Sequence, residues 1–436
     1  MDTGARVPTI LLPRPDIDLH TWAVIACDQF TSEPEYWQQV AETVGDALST
    51  LHLTLPEVYL DTPEEPARLA SIRATMQEYL RDGVFGEYQG LVMVTRTVAG
   101  KTRHGLMLAL DLEEYDFTRS STSLIRATEG TIVERIPPRI RIRSGAPVEL
   151  PHILVLIDDP DRTVIEPLQA HMESLRTLYD VELMLDSGHL TGRAVEDPDV
   201  QQQVMEALGR LGEPETITAT YGLPDGTAPL VYAMGDGNHS LATAKTMWEQ
   251  IKSTVGMDHP ARYALVEIEN IHDPGLEFEA IFRVVFGVAE KFRNAVERCY
   301  RGHYRLEPVA SFQVMTEIVD NAQGPDHAIG VVGPDGCDVL YVSQPPSNLP
   351  VGTLQVVLDD WAGAGGFARI DYVHGRDVVS RLGCQPGNLG FYLPAIDKAS
   401  FFKTVLIDGA LPRKTFSMGE AKEKRFYMEA RRITED

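Results

Sequence analysis

Short apolar runs of strand length alternate with segments of helical period along this 436-residue chain. The runs TWAVIAC, HILVLIDD and APLVYAM predict buried strands. The segments SEPEYWQQVAETVGDAL and PEEPARLASIRATMQEYLRDG have helical periodicity, and each begins with proline and acidic residues that suit a first helical turn. Ser32 is a candidate N-cap of the first of these helices. The alternation predicts an α/β or α+β fold of mixed sheets with flanking helices.

Two further patterns refine this prediction. The segment GLVMVTRTVAGKTRHGLMLALDLEEY has two apolar runs around Ala99 and Gly100, the pattern of a β-hairpin. Its GKT is not a phosphate loop, because Thr95 stands where that motif needs glycine and strand-like residues follow the lysine. Residues 162–211 are predicted to be largely helical, with an interruption at VELMLDSG. RYALVEIENI and LEFEAIFRVVF predict a pair of strands.

No repeat and no low-complexity linker marks a domain boundary. We expect three lobes, at residues 1–115, 116–290 and 291–436, with the candidate site in the central lobe.

The charge of the chain limits its partners. Acidic residues outnumber basic ones by 64 to 39, which gives a formal net charge of −25. Such a field repels phosphate backbones at long range, so we expect no nucleic-acid partner. An anionic small-molecule substrate would need local cations, and three basic runs could supply them, at residues 135–143, 413–414 and 422–432.

Other classes of protein lack support in the sequence. No segment approaches the roughly 18 apolar residues of a membrane helix, and the first residues do not resemble a secretory signal, so we expect a cytoplasmic protein without a membrane partner. Cys27, Cys299, Cys337 and Cys384 lie far apart, which predicts buried thiols rather than a zinc site or disulfides. Nothing in the sequence indicates the oligomeric state.

A candidate site lies in the stretch AMGDGNHSLATAK, where a glycine turn separates a short strand from a helix. Free backbone N–H groups and the helix dipole favour an anion at such a point. Gly235 and Gly237 would let a ligand approach the backbone, and Asp236 and His239 add an acid and a titratable donor. Ser240 is a candidate N-cap. A capped turn with solvated polar residues is the alternative interpretation.

The DGNHS turn resembles the DGHHR turn of free-serine kinases of the ParB/sulfiredoxin-like superfamily, and of domain-of-unknown-function family 1015. Resemblance to the second family extends over nearly the whole chain, through LALDLEEY, TEGT, DGNHS, DYVHG, GFYLP and GALPRKT in that order. It implies a ParB/sulfiredoxin-like core that carries the DGNHS turn, with extra lobes. The kinase resemblance implies phosphate transfer to a free hydroxyl amino acid or similar alcohol, with Mg²⁺ and ATP, ADP or pyrophosphate as donor.

The resemblance also implies roles for individual residues. Glu129 in TEGT would take the hydroxyl proton, His239 and the turn backbone would hold the moving phosphoryl group, and Asp236 would position Mg²⁺ or the nucleophile. We therefore expect Glu129 and Asp236 to share one pocket. The phosphate- and substrate-binding candidates are Arg126, Gly235, Gly237, Asn238, Ser240, Arg413, Lys414 and Thr415.

Three departures from the kinase pattern leave the activity open. Thr128 stands where the histidine of an HE pair would be, Asn238 replaces the first turn histidine, and Ser240 replaces the turn arginine that would bind phosphate or carboxylate. A noncatalytic phosphate- or nucleotide-binding regulatory protein is therefore an alternative, and a nucleotide-hydrolysing switch is a third hypothesis.

Nearby arginines could replace the missing one. Arg126, Arg135 and Arg139 lie close in sequence to Glu129. The alternative is that VERIPPRIRIR is a solvated basic edge.

Overall fold

The computed structural model describes residues 3–31, 33–130, 136–412 and 414–435. The chain is a mixed α/β protein, as its alternating pattern predicts. It forms two compact units, one of Met1–Glu277 with Met418–Asp436 and the other of Phe278–Ser417. The boundaries expected after residues 115 and 290 do not coincide with the limits of these units.

The first unit contains most of the regular elements. Its strands up to residue 277 are β1 (Ala5–Arg6), β2 (Thr9–Pro13), β3 (Val24–Ile25), β4 (Phe85–Gln89), β5 (Leu91–Val98), β6 (Lys101–Asp111), β7 (Tyr115–Asp116), β8 (Ile125–Arg126), β9 (Val148–Glu149), β10 (Leu154–Ile157), β11 (Thr177–Glu182), β12 (His189–Val195), β13 (Tyr232–Asp236) and β14 (Tyr263–Asn270). Its helices are α1 (Leu19–Trp22), α2 (Pro34–Val44), α3 (Glu65–Arg81), α4 (Ile136–Arg143), α5 (Glu166–Ala170), α6 (Pro198–Leu211), α7 (Pro214–Tyr221) and α8 (Asn238–Val255).

A ten-stranded mixed sheet organises this unit, in the order β11-β12-β5-β6-β14-β10-β13-β8-β7, with β1 also paired to β6. The predicted hairpin is confirmed as β5 and β6, and its turn residues Ala99 and Gly100 have φ of +51° and +78°. Neighbouring residues of β5 contribute to two separate apolar clusters, Leu91 and Met93 to one and Val92 to the other. The strand therefore buries both of its faces, as its continuous apolar run requires.

Two predictions about this sheet are wrong. Residues 177–195 form the antiparallel strands β11 and β12, because burial in Thr177–Glu182 alternates with the period of a strand. Strand β14 pairs with β6 and β10 rather than with the next apolar run, which belongs to the second unit. Long-range pairing decided the partners of β14, and a local pattern does not record it.

The second unit, up to its junction with the first, contains the strands β15 (Phe278–Ala280), β16 (Phe282–Phe286), β17 (Tyr304–Val309), β18 (His327–Gly333), β19 (Gly336–Val342), β20 (Arg369–Val373), β21 (Asn388–Tyr392) and β22 (Phe416–Met418). Its helices are α9 (Phe292–Tyr300), α10 (Phe312–Asp320), α11 (Pro350–Gly363), α12 (Arg376–Gly383) and α13 (Lys398–Asp408). Six of the strands form an antiparallel sheet in the order β17-β19-β18-β21-β16-β20.

The chain then returns to the first unit. Strand β23 (Phe426–Tyr427) pairs with β3, and strand β24 (Arg431–Arg432) pairs with β9. Residues 418–435 are named the return segment below. The indole N–H of Trp22, in the first unit's apolar core, donates to the Met428 carbonyl.

None of the helices within the described ranges has the length and apolar character needed to cross a membrane. The four cysteines are free thiols, but the prediction that they are buried is wrong: Cys384, at the end of α12, is exposed, and the other three are half-buried.

Candidate functional site

The DGNHS turn joins β13 directly to α8. Asp236 is the last residue of the strand, and Asn238 is the first residue of the helix. Gly237 between them is the N-cap, with φ of +80°, a left-handed conformation that glycine adopts without strain. The prediction that Ser240 is the N-cap is wrong, because Ser240 already lies in the first turn and its N–H donates to the Gly237 carbonyl at 3.0 Å.

Asp236 is held in its ionised form by a lysine of the return segment. Lys424 Nζ lies 3.1 Å from Asp236 Oδ2, and the Gly237 N–H donates to Oδ1 at 2.8 Å. Burial acts to raise the pKa of Asp236, but the Lys424 ammonium and these hydrogen bonds bring it below its ordinary value. The side chains of Asp236 and Lys424 are 25% and 12% exposed.

A histidine links the turn to two hydroxyl groups. His152 Nε2 lies 2.9 Å from Ser240 Oγ, and Nδ1 lies 2.9 Å from the Tyr427 hydroxyl. The imidazole of His152 therefore bridges Ser240 and Tyr427 through its two ring nitrogens. Asp28 Oδ2 lies 4.0 Å from His152 Nε2. Asp28, His152, Asp236, Ser240 and Lys424 are named the turn cluster.

One acceptor at the start of α8 has no partner among the described residues. Asn238 Oδ1 is buried and accepts no hydrogen bond there. Because a buried unpaired acceptor carries a desolvation cost, a ligand group that donates a hydrogen bond would be stabilised at this position.

The position of Glu129 follows from strand pairing. Strand β8 is parallel to β13, with Ile125 opposite Tyr232. Beyond β8, the Thr128 hydroxyl donates to the Met234 carbonyl at 2.6 Å and holds this segment against β13. If the pairing of β8 with β13 continued in the same register, Glu129 would lie opposite Asp236. This arrangement supports the prediction that the two carboxylates share a pocket, which stays a prediction.

Arg126 and Gly235 have contacts that explain them without a ligand. Arg126 is buried, and its guanidinium donates to the carbonyls of Ser123, Ala228 and Pro229. Burial lowers its pKa to about 10. A side chain at Gly235 would overlap the sulfur of Met418. The predicted phosphate-binding roles of Arg126 and Gly235 gain no support from these contacts.

The contacts of the other predicted site residues do not decide their predicted roles. His239 is half-buried in the first turn of α8, and its carbonyl accepts from the Thr243 hydroxyl at 2.7 Å. Lys414 and Thr415 belong to the second unit, where the Thr415 hydroxyl donates to the Pro412 carbonyl. Arg413 lies outside the described residues. The roles of these four residues stay predictions.

Two arginines of the basic run at 135–143 are not part of a solvated edge, whereas Arg141 is exposed. Arg139 pairs with Glu57, and their side chains are only 14% and 18% exposed. Arg143 pairs with the buried Glu149. The edge interpretation is therefore wrong for these arginines, and Arg135, like Ser32, lies outside the described residues.

Beside the turn cluster lies a group of fully buried charges. Arg425 pairs with both Glu267 and Glu429, and Arg103 Nε lies 2.8 Å from Glu269 Oε1. Their side chains are at most 8% exposed. These five residues are named the buried network. Buried charges are tolerated only when they are paired, and here each guanidinium meets at least one carboxylate.

The buried network has one carboxyl group that resists ionisation. Burial is the main cause that raises the pKa of Glu269 to about 7; Arg103 opposes this rise, and the nearby carboxylates of Glu267 and Asp273 contribute to it. The absence of a side chain at Gly105 on the neighbouring strand leaves the space that the Glu267 carboxylate occupies.

Sequence reasoning did not find Asp28, His152 or Lys424. Asp28 and His152 each follow or precede a short strand and belong to no motif. Lys424 lies in the basic run at 422–432 that the sequence does indicate, but its pairing with Asp236 depends on the return segment.

A cavity of about 610 Å³ lies elsewhere in the first unit, lined by Arg6, Tyr263 and Arg432 among others. No member of the turn cluster lines it, and it also contains the acidic residues Glu87 and Glu435. Across the described part of the chain, no group of three or more His, Cys, Asp or Glu is placed to hold a metal ion.

The fold and the turn cluster define a mixed α/β protein with a polar site where a sheet strand turns into a helix. Residues 11–360 match the family described as DUF1015, protein of unknown function, and the chain belongs to this family. The segments DYVHG, GFYLP and GALPRKT lie beyond the matched residues. No curated protein matches the sequence.

Several solved structures are distantly similar. A free serine kinase in complex with AMP has 10% identity and a TM-score of 0.39, over 75% of this chain and 91% of that one. SbnI with a C-terminal truncation, from Staphylococcus aureus, has 8% identity and a TM-score of 0.37, over 75% and 87%. A conserved hypothetical protein from Pyrococcus furiosus has 12% identity and a TM-score of 0.36, over 75% and 95%. Because these TM-scores are low, the function of this protein has to be argued from its own residues.

Proposed function

We propose that this protein is a small-molecule kinase that transfers a phosphoryl group to a free hydroxyl amino acid, such as serine, or to a similar alcohol. The observation that carries the proposal is the turn cluster, in which the start of α8 meets an ionised carboxylate, a lysine and a histidine–serine pair. Enzymes achieve phosphoryl transfer mainly by positioning and electrostatic stabilisation, and these groups are suited to both. A ParB/sulfiredoxin-like core remains part of this proposal.

The start of α8 would hold the phosphoryl group. The N–H of Ser240 makes the first hydrogen bond inside the helix, so the positive end of the helix dipole lies at Asn238 and His239. His239 and the backbone of Gly237 and Asn238 would contact the phosphate oxygens. This assignment gives these residues the phosphate-binding roles that the resemblance of the DGNHS turn to the kinase turn implies.

Glu129 would accept the proton of the acceptor hydroxyl. Its expected position beside the end of β13 supports this role, since a base must lie within hydrogen-bond reach of the proton it removes. Asp236 would hold Mg²⁺, which needs only one or two protein carboxylates when substrate phosphates complete its shell. When bound, the ion would neutralise phosphate charge. The donor is ATP, ADP or pyrophosphate.

The test is a direct search for product. Purified protein is given Mg²⁺, each of the three donors in turn, and a panel of free hydroxyl amino acids and polyols, and phosphorylated products are sought by mass spectrometry. Glu129→Gln should abolish product and nearly spare nucleotide affinity, because it removes the base and keeps its shape. Glu173→Gln, at an exposed glutamate outside the turn cluster, is the matched control. Equal product from Glu129→Gln and wild type would exclude Glu129 as the base.

The alternative is a noncatalytic phosphate- or nucleotide-binding protein, and a specific observation favours it. Two of the three departures from the kinase pattern are built into the fold, because the Thr128 hydroxyl donates to the Met234 carbonyl and the Ser240 hydroxyl hydrogen-bonds His152. Thr128 is fully buried, so Thr128→His would not fit without disturbing β13. Binding of nucleotide or pyrophosphate without product from any pair of substrates would establish this alternative.

A further inference from the structure

The return segment fixes the backbone on both sides of Lys424. Before it, the guanidinium of Arg96 donates to the Lys422 carbonyl at 2.9 Å, and that of Arg103 donates to the Glu423 carbonyl at 2.6 Å. After it, Arg425 is buried in its ion pairs and donates from Nε to the Pro151 carbonyl at 3.0 Å. The backbone of Lys424 is therefore anchored next to the DGNHS turn, while its four-carbon stem can still move the ammonium.

The site needs a cation, and Arg126 and Arg139, which lie within the described residues, are already engaged in other contacts. A chain with a net charge of −25 repels an anion unless a local positive charge offsets the field. Ser240 occupies the position of the turn arginine, Arg139 pairs with Glu57, and the guanidinium of Arg126 donates to three backbone carbonyls. Lys424 is placed at the turn, and its side chain is largely removed from water.

We infer that Lys424 is the phosphate-binding cation of this site and replaces the arginine that the turn lacks. The inference rests on the proposed function, since it concerns the same anion. Asp236 holds the ammonium in place when no anion is bound, and the ammonium contacts the phosphate when one is bound. Lysine is suited to this exchange because it acts as a point charge with three donors and no fixed plane. The return segment is thus a component of the binding site.

The experiment measures binding of inorganic phosphate and pyrophosphate to the full chain by calorimetry. Lys424→Gln should weaken pyrophosphate binding about tenfold or more, the loss expected for one charge-assisted contact. Lys424→Arg should stay within about threefold of wild type because it keeps the charge. Lys422→Gln is the matched control, since it makes the same substitution at an exposed lysine two residues away and should leave affinity unchanged.

Asp236→Asn gives an independent readout. It removes the carboxylate that competes with the anion for the ammonium, so phosphate and pyrophosphate should bind more tightly in the absence of Mg²⁺. Equal melting temperatures of Lys424→Gln and Lys422→Gln would show that affinity, rather than folding, had changed.

The outcomes separate the inference from the proposed function. If wild type binds pyrophosphate and Lys424→Gln binds it as well as Lys422→Gln does, the inference is overturned and the anion-binding turn stands. If Asp236→Asn binds phosphate and pyrophosphate more weakly than wild type does, the inferred exchange of the Lys424 ammonium between Asp236 and the anion is overturned. If wild type binds neither anion, the turn is structural, and the proposed function and the inference both fail.

Discussion

Lys424 and Arg425 are neighbours in the sequence but serve two different regions. Arg425 points into the buried network, where it meets Glu267 and Glu429 and is only 2% exposed. Lys424 points into the turn cluster, where it meets the single carboxylate Asp236 and keeps contact with solvent. Burial and the number of partners distinguish a charge that stabilises the fold from one that can change partners.

The difference has a physical origin. Two charges removed from water are stable only while both partners remain, so the buried network tolerates no exchange. A half-buried pair loses less when one partner moves, because water and an incoming anion can replace it. The predictions below test this contrast, from the largest expected effect to the smallest.

Arg425→Met should lower the free energy of unfolding by about 3–5 kcal/mol, since it leaves two buried carboxylates without their cation. Urea denaturation measures the loss. Lys424→Gln, at the adjacent residue, should cost less than about 1 kcal/mol. Similar losses in the two variants would contradict the distinction between the regions.

Glu269→Gln should flatten the dependence of stability on pH. The folded protein holds a proton on Glu269 between the ordinary pKa of 4.5 and about 7, whereas the unfolded chain releases it. Raising the pH through this window therefore favours unfolding, by on the order of 1.4 kcal/mol for each pH unit. Below the ordinary pKa the contribution is fully present. Denaturation series across the window should give a smaller slope for the variant, and an unchanged slope would exclude Glu269 as the source.

Gly237→Ala should cost about 1–2 kcal/mol from its left-handed backbone and should also weaken phosphate binding. The new methyl group would lie 3.1 Å from the Ile153 backbone and shift the turn. Gly226→Ala is the control, because Gly226 also has positive φ, +85°, but has open space around it. If the two variants bind phosphate equally well, the turn does not bind the anion.

Ser240→Ala should lower the free energy of unfolding by only about 0.5–1.5 kcal/mol, the contribution of one hydrogen bond to a partly accessible histidine. Thermal unfolding measures it. A loss larger than that of Arg425→Met would place Ser240 in the rigid part of the fold and remove the contrast between the two regions.

Local patterns predicted much of the fold. The α/β class, the hairpin of β5 and β6 and a helix after the DGNHS turn all follow from periodicity and turn residues. The partners of β14 do not, because a central strand is selected by both of its neighbours. The sequence also indicates the basic run at 422–432, but not which of its cations is buried. His152 lies near the turn because it precedes β10, which pairs with β13, and Lys424 lies there because the return segment places it there. Both contacts join residues that are far apart in the chain.

Residues 278–417, which form the second unit, interrupt the first unit in the sequence. The return segment of the first unit is therefore synthesised only after the whole second unit. A ribosome adds about 5–20 residues each second, so Glu267 and Glu269 emerge roughly ten to thirty seconds before Arg425. During that interval Glu267 lacks its cation Arg425, and the neighbouring apolar surface lacks the cover that residues 426–430 supply. The proposed anion site, which includes Lys424, is completed only after the second unit has already been synthesised.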